Sequence, residues 1–294
     1  MRITSLLFII ILLNLPPQYL MAQNTNFDWQ GHRGARGLLP ENTIPAFIKA
    51  LDLGVKTLEL DLAVSADNQL IISHEPYLNH DICKKADGTN VTKAEAENLK
   101  ILKMTAAELQ KCDCGSRGNP RFKEQQSMFA YKPTFTEMVE AVKVYCAEKK
   151  RPLPYFNIEI KSQPDYDNVF TPPVSVFSKL VVDEVKRLNI KEVCNIQSFD
   201  PRVLEEVKKL DSTIVLAFLV ENRKGLTYNL GLLSFKPDIY SAYFKLISKG
   251  VVKKCHKQGI KVIPWTVNEV ADMQKMLALK VDGIITDYPN RVIK

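Results

Sequence analysis

The chain has no apolar run long enough to cross a bilayer. Its longest, Leu6 to Leu13, is far shorter than the ~20 residues a membrane helix needs. No stretch gathers basic charge with aromatics either. The longest basic run, Lys149 to Arg151, reads as a solvated helix end. A formal charge of +7 with pI near 8.9 therefore suits an anionic small molecule, and nucleic acid is not expected as a partner. No internal repeat or low-complexity stretch is visible, so the chain is not an array. Zinc-knuckle spacing is missing too: Cys112-Asp113-Cys114 has the wrong interval and no histidine nearby.

What is present begins with a processing segment. Arg2 supplies the positive end, Leu6 to Leu13 the apolar core, Pro16 and Pro17 the break, and Ala22 a small residue for cleavage. Residues 1–23 are expected to be a secretory signal, and 24–294 a single domain. Export to a periplasm or the outside is the expectation, with no stable membrane insertion after the signal is removed. No cysteine lies near the cleavage region, so lipid attachment there is not expected. The oxidising compartment permits disulfides. A bridge from Cys83 to Cys112 or Cys114 is plausible, and Cys146, Cys194 and Cys255 read as buried and inert. The sequence carries no sign of oligomeric state.

Strand-like and helix-like segments then alternate. Strands are expected at 28–32, 57–62, 155–160, 192–197, 213–220, 238–242, 261–267 and 283–286. Between them run amphipathic stripes such as Phe177, Leu180, Val181 and Val185, or Val270, Met273 and Leu277. Asn42 is expected to cap a helix that tolerates Pro45 in its first turn and ends at Gly54. Eight strands joined by helical segments imply parallel pairing with crossovers, and a closed (β/α)8 TIM barrel follows. A doubly wound open sheet is the competing arrangement.

One connection breaks the rhythm. Only Ala66-Asp67-Asn68 separates Asp61's strand from Leu70 to Ser73, so 60–74 reads as a β-hairpin arm. A symmetric hairpin sets Asp61 opposite His74. Residues 75–132 are then a small inserted lobe after the second strand. Thr105 with Glu108, and Thr134 with Glu137, have the spacing of capping boxes.

A barrel collects its chemistry at the C-terminal strand ends. There the chain offers His32 and Arg33, then Glu59 and Asp61, then Glu159 and Lys161, then Gln197, Trp265 and Asp287; the arm returns His74 and Glu75. Singly, each has a plainer reading. His32 could be a surface residue, Glu59 and Asp61 an exposed strand pair, and Trp265 barrel core or a substrate wall. Together they form a chemical set. Three carboxylates at one mouth repel unless a cation lies among them, and oxygen ligands select calcium or magnesium. Two histidines supply an acid and a base. Arg33 and Lys161 hold anionic oxygens. That set suits displacement at a phosphodiester.

The ordered motifs HRGARGLLPENT, ELD, ISHE, NIEIK and TDYP resemble those of the glycerophosphodiester phosphodiesterase family, from about residue 28 to 290. The resemblance implies a (β/α)8 barrel with an inserted lobe and a divalent metal, Ca2+ or Mg2+. It implies hydrolysis of a small-molecule glycerophosphodiester to an alcohol and glycerol 3-phosphate. Carried over by position, His32 and His74 are the catalytic histidines. Glu59, Asp61 and Glu159 are the metal carboxylates. Arg33 and Lys161 contact the phosphate, and Glu41 orients the site. A lysophospholipase D, a cyclising phospholipase, or a binding protein without turnover is the alternative. Where the family has His-Asp, this chain has His74-Glu75, one methylene longer. Gly31, Gly34 and Gly37 are expected to let the backbone pass close to a phosphate.

Overall fold

The computed structural model describes residues 27–293. The expected signal segment lies outside the described residues. The described residues form nine strands: β1 Asp28–Gly31, β2 Thr57–Val64, β3 Leu70–Ile72, β4 Tyr155–Ile160, β5 Cys194–Ser198, β6 Val215–Val220, β7 Ile239–Ala242, β8 Lys261–Val262 and β9 Gly283–Thr286. The helices are α1 Ile44–Asp52, α2 Ala106–Leu109, α3 Phe135–Glu148, α4 Val174–Arg187, α5 Pro201–Leu210, α6 Leu226–Leu230, α7 Lys249–Lys257 and α8 Val270–Ala278. The sheet order is β8-β7-β6-β5-β4-β2-β1-β9, all parallel, with β3 antiparallel to β2 outside this ring. Backbone bonds from Asp282 N–H to Val262 O (2.9 Å), Ile285 N–H to Pro264 O (3.0 Å) and Val267 N–H to Ile285 O (2.9 Å) join the two ends. This is a nearly closed (β/α)8 barrel with one helix or more on every crossover. Among the described residues no helix is long and apolar enough to cross a membrane.

Side-chain alternation along the strands divides the interior. Leu58, Leu60 and Leu62 face outward with Phe156, Ile158, Ile160 and Ile196, and meet Phe47 and Leu51 of α1, Phe135 and Val139 of α3, and Phe177 and Val181 of α4. Each buried side chain of this size is worth roughly 1.5–3 kcal/mol by burial. Apart from Glu59 and Asp61 on β2 and Glu159 on β4, the inward residues are mainly of two kinds. On β1, β4 and β5 they are amides: Asn157 Nδ2 donates to Gln30 Oε1 (2.8 Å) and Asn195 Nδ2 to Asn157 Oδ1 (2.6 Å), all three buried. On β6, β7 and β9, and just past β8, they are apolar: Ala217, Ile239, Ile285 and Ile263 cluster beneath Trp265.

Several local expectations shift. The seventh barrel strand, expected at 261–267, pairs only over Lys261–Val262, because Pro264 has no N–H to give; bridging resumes at Trp265 opposite Tyr243. The hairpin register is Leu62 with Ile72 and Val64 with Leu70, so Asp61 faces Ser73, not His74. A three-residue loop with Asn68 left-handed (φ 57°) causes this one-residue slip. The cap of α1 is Thr43, whose Oγ1 accepts from Ala46 N–H at 3.3 Å; Asn42 is left-handed (φ 56°) and turns elsewhere. On α8 the buried pair is Met273 and Met276, with Val270 exposed.

The lobe after β3 has its own small core. Leu78, Ile82, Val91, Ile101 and Leu109 pack on Ala63 and Ile71 of the hairpin. Cys83 pairs with Cys114, closing a loop whose ends lie 31 residues apart; Cys112, Cys146, Cys194 and Cys255 are buried thiols. Both capping boxes form, Thr105 with Glu108 and Thr134 with Glu137.

Candidate active site

A cavity of about 370 Å³ opens at the C-terminal strand ends, and His32, Arg33, Glu59, His74, Glu159, Lys161 and Trp265 all line it. The loop after β1 builds one wall. Arg33 is left-handed (φ 50°), an uncommon state for a residue with a side chain, and Asn42 N–H to Arg33 O (3.0 Å) pins it. This twist aims Arg33's own N–H at Glu59 Oε2 (2.9 Å), its Nη1 at Glu41 Oε1 (2.7 Å) and its Nε at Asp61 Oδ2 (3.3 Å). The glycines make the twist possible, but against protein. A Cβ on Gly34 (φ 82°) would lie 2.6 Å from the Ala46 carbonyl carbon, and one on Gly37 2.5 Å from the Tyr288 ring. The expectation that they approach a phosphate is corrected: they seat this loop on α1 and on the end of β9.

Three carboxylates converge. Glu59, Asp61 and Glu159 each place an oxygen within 4.8 Å of the others, all buried. Asp61 and Glu159 are register partners on β2 and β4. Lys161 lies between them, its Nζ 3.0 Å from Glu159 Oε1 and 3.5 Å from Asp61 Oδ1. Asn42 Nδ2 donates to Asp61 Oδ2 (2.8 Å), and Gln197 Nε2 to Glu59 Oε1 (2.9 Å). Burial, then the charges of Asp61 and Glu159, push Glu59 well above the usual carboxylate range. Burial raises Glu159 to about 7. Burial opposes ionisation of Asp61 as well, but Lys161 and Arg33 hold it well below the usual range. Glu59 is thus a buried acid with amide partners and, among the described residues, no lysine or arginine side chain paired to it.

The residues fit a hard divalent cation. The donor set is all oxygen. Among the described residues Asp61 Oδ1, apart from its ion pair with Lys161, and Gln197 Oε1 are buried with no hydrogen-bond partner. The repulsion that raises Glu59 is of the kind a cation relieves.

Both histidines are held by their Nδ1 atoms. His32 Nδ1 is 2.7 Å from Asp287 Oδ1, while its Nε2 is 3.9 Å from Glu59 Oε2. His74 Nδ1 is 2.8 Å from Glu75 Oε1. Glu75 thus reaches the ring of its own neighbour. Burial, with Arg36 nearby, pushes His32 down to about 4. Burial, Arg33 and Lys161 lower His74 as well.

Some of this was not legible as function in the sequence. Arg36 donates from Nε to Asp287 Oδ1 (2.7 Å) and from Nη2 to Oδ2 (3.1 Å), and Asn268 Nδ2 adds a bond to Oδ2 (2.8 Å). Asp287 stood at a strand end with no assigned partner, and Arg36 lay in the first motif unsingled. Gln197 was visible at its strand end, but its bond to Glu59 was not. Asn42, at the expected cap position, is a partner of Asp61. Lys132, just before a capping box, is buried near Glu75 and Glu41, and burial lowers its pKa.

A barrel whose mouth sets a carboxylate trio between two carboxylate-held histidines and an arginine defines an enzyme site for an anionic ester. Residues 32–291 match the model of the glycerophosphoryl diester phosphodiesterase family, and the chain belongs to that family of hydrolases. A glycerophosphodiester phosphodiesterase of Caldanaerobacter subterraneus subsp. tengcongensis is 29% identical over 89% of this chain and 94% of its own length. A solved structure from Silicibacter pomeroyi DSS-3, assigned to the same class, superposes with a TM-score of 0.78 at 28% identity, over 90% of this chain and 91% of that one. A phosphodiesterase of Oleispira antarctica, solved with its product sn-glycerol-3-phosphate, shares the fold at TM-score 0.70 and 22% identity, over 90% of this chain and 94% of that one.

Proposed function

We propose that this enzyme hydrolyses glycerophosphodiesters to an alcohol and sn-glycerol 3-phosphate, with His32 and His74 as its acid and base. The observation that carries this is the paired tethering of the histidines. Each has Nδ1 on a carboxylate, Asp287 or Glu75, which leaves Nε2 for substrate. One Nε2 takes a proton from the attacking water as its oxygen bonds to phosphorus. The other gives a proton to the alcohol oxygen as its bond to phosphorus breaks. Glu59, Asp61 and Glu159 would hold a divalent cation, Ca2+ or Mg2+, which when bound supplies positive charge beside the phosphoryl oxygens. Arg33 and Lys161 add fixed positive charge at the same mouth. Glu41 keeps Arg33 in place through its 2.7 Å bond. Trp265 forms a substrate wall.

The Cys83–Cys114 bridge supports work outside the cytoplasm, in a periplasm or beyond. In this reading residues 1–23 are removed on export, and 24–294 form one barrel domain with 75–132 inserted in it.

The test is release of glycerol 3-phosphate from glycerophosphocholine and glycerophosphoethanolamine by the exported chain. It is metal-stripped, then given calcium or magnesium. Release should return with one ion and fall about 10²–10⁴-fold in His32→Ala or His74→Ala. No release with either ion would overturn the reading.

A further inference from the structure

The arm that carries His74 has a second neighbour besides β2. Ile71 bridges to Thr134, and Ile72 N–H bonds Pro133 O (2.9 Å). That antiparallel register sets Lys132 opposite Ser73, the residue before His74. The capping box of α3 anchors the segment at Thr134. Tyr131 OH bonds Glu137 Oε1 (3.2 Å), so alternation turns Lys132 the other way, into the protein. It is only 6% exposed. A lysine is almost never so buried without negative charge near it.

Glu75 supplies that charge. Its Oε1 is the atom 2.8 Å from His74 Nδ1, and its Oε2 is buried with no hydrogen-bond partner among the described residues. The other cations around it are committed. Arg33 serves Glu41 and Asp61, Arg36 serves Asp287, and Lys161 serves Asp61 and Glu159. Glu41 already has Arg33 at 2.7 Å and Arg36 at 3.9 Å. Burial lowers the pKa of Lys132, and the charge of Glu75, then that of Glu41, draws it back up. Burial opposes ionisation of Glu75, while His74, Arg33 and Lys132 hold it below the usual carboxylate range. Neither Lys132 nor Glu75 is among the residues that line the cavity.

Glutamate has one more rotatable bond than aspartate, and reaching back to the ring of its own neighbour is one of several staggered choices. A fixed positive charge on the side of the free oxygen selects that choice. We propose that Lys132 is a positioning residue for the acid–base pair: its ammonium balances the free oxygen of Glu75, which keeps the other oxygen on His74 Nδ1 and leaves Nε2 turned to the phosphodiester. The two groups form no direct ion pair among the described residues, so Lys132 acts as a buried charge across a gap, where the low local dielectric lengthens its reach. The inference rests on the hydrolysis proposed above and deepens it. Lys132 touches no reacting atom and moves no proton; the bonds made and broken are unchanged.

Lys132→Met keeps the buried stem and drops the charge. In the metal-loaded enzyme its kcat on glycerophosphoethanolamine should fall roughly tenfold while KM stays within about twofold, because the groups that bind substrate are untouched. Lys132→Arg, which keeps the charge, should retain most of the rate. Glu75→Gln should fall roughly a hundredfold, and adding Lys132→Met to it should change kcat by less than about twofold. That comparison holds even where Lys132→Met alone folds poorly. A second readout needs no turnover: ring-nitrogen NMR of the chain's four histidines, with His74→Ala to assign the signal. At alkaline pH the wild-type His74 should show a protonated Nδ1 and a bare Nε2, and in Lys132→Met the two signals should draw together. An unmoved kcat, a rise in KM in its place, or an equal loss in the Glu75→Gln background would overturn this inference and leave the hydrolysis standing. Absence of turnover in the wild type would overturn the hydrolysis; nitrogen signals unmoved in Lys132→Met would then overturn the bracing of His74 as well.

Discussion

Asp287→Asn keeps the side chain's size and removes its charge. In the native arrangement its two oxygens face four nitrogens: His32 Nδ1, Arg36 Nε and Nη2, and Asn268 Nδ2. An asparagine offers one acceptor oxygen and turns an NH₂ toward the remaining donors. Arg36 and Asp287 are both buried, so the variant strands a guanidinium with Glu41 3.9 Å away as its remaining acidic neighbour. Breaking such a pair costs about 3–5 kcal/mol. In a chain of this size each kcal/mol moves the melting temperature by roughly 2–4 °C, so the expected drop at pH 7 is about 6–20 °C. The pH dependence has a definite sign. Burial opposes ionisation of Asp287, but Arg36 and His32 hold its folded pKa far below the ordinary 3.8. The stabilisation is therefore complete above that value and is lost as pH falls below it, by about 1.4 kcal/mol per unit. Melting curves of both proteins at pH 7 and pH 3 should show the gap narrowing in acid. The variant should also lose roughly 10²–10⁴ in kcat, because His32 no longer has a carboxylate to fix its tautomer. A melting temperature within 2 °C of wild type at pH 7, or a kcat within threefold, would refute the reasoning.

Two further outcomes follow from the lobe and the trio. Replacing Cys83 and Cys114 by serine should cost the lobe about 3–4 kcal/mol, the chain-entropy value for a loop of this length. Amide exchange should then quicken between residues 78 and 114 and stay slow in β4 to β6; equal change in both would contradict it. Glu59→Gln should stabilise the metal-free protein at alkaline pH. The raised folded pKa of Glu59 means the wild type loses stability as pH climbs above the ordinary 4.5, by about 1.4 kcal/mol per unit until that pKa is passed. The same variant should lose the rise in melting temperature that calcium or magnesium gives the wild type, and an unchanged rise would count against the trio as the ion's site.

Periodicity carried most of the barrel into view. Each expected barrel strand forms at least in part, because parallel strands buried on both faces write apolar runs such as Val215 to Val220. What escaped was set by single backbone states. Asn68 in the left-handed region slipped the hairpin by one residue, and Asn42 in the same region gave its side chain to Asp61 instead of the helix end. Residue types at strand ends revealed the trio and both histidines. Their holders were harder to see: Arg36 and Asp287 lie 251 positions apart, and only barrel closure brings them together. Glycine was misread for a related reason. A sequence shows that a backbone passes something closely, not whether that something is a ligand or, as with Gly37, the ring of Tyr288.

The divided interior separates two kinds of information along the chain. His32, Arg33, Glu41, Glu59, Asp61, His74, Glu159 and Lys161 all come from the first 161 residues, while Phe199, Leu219 and Trp265, which line the same cavity, come from later in the chain. Two later side chains reach back to hold the reacting half, Gln197 on Glu59 and Asp287 on His32. A lineage can therefore redraft its later strand ends, one rim residue at a time, without disturbing the machinery that cuts. Inheritance of the reaction and inheritance of its clientele are written largely on different stretches of one gene, joined where Gln197 and Asp287 reach back.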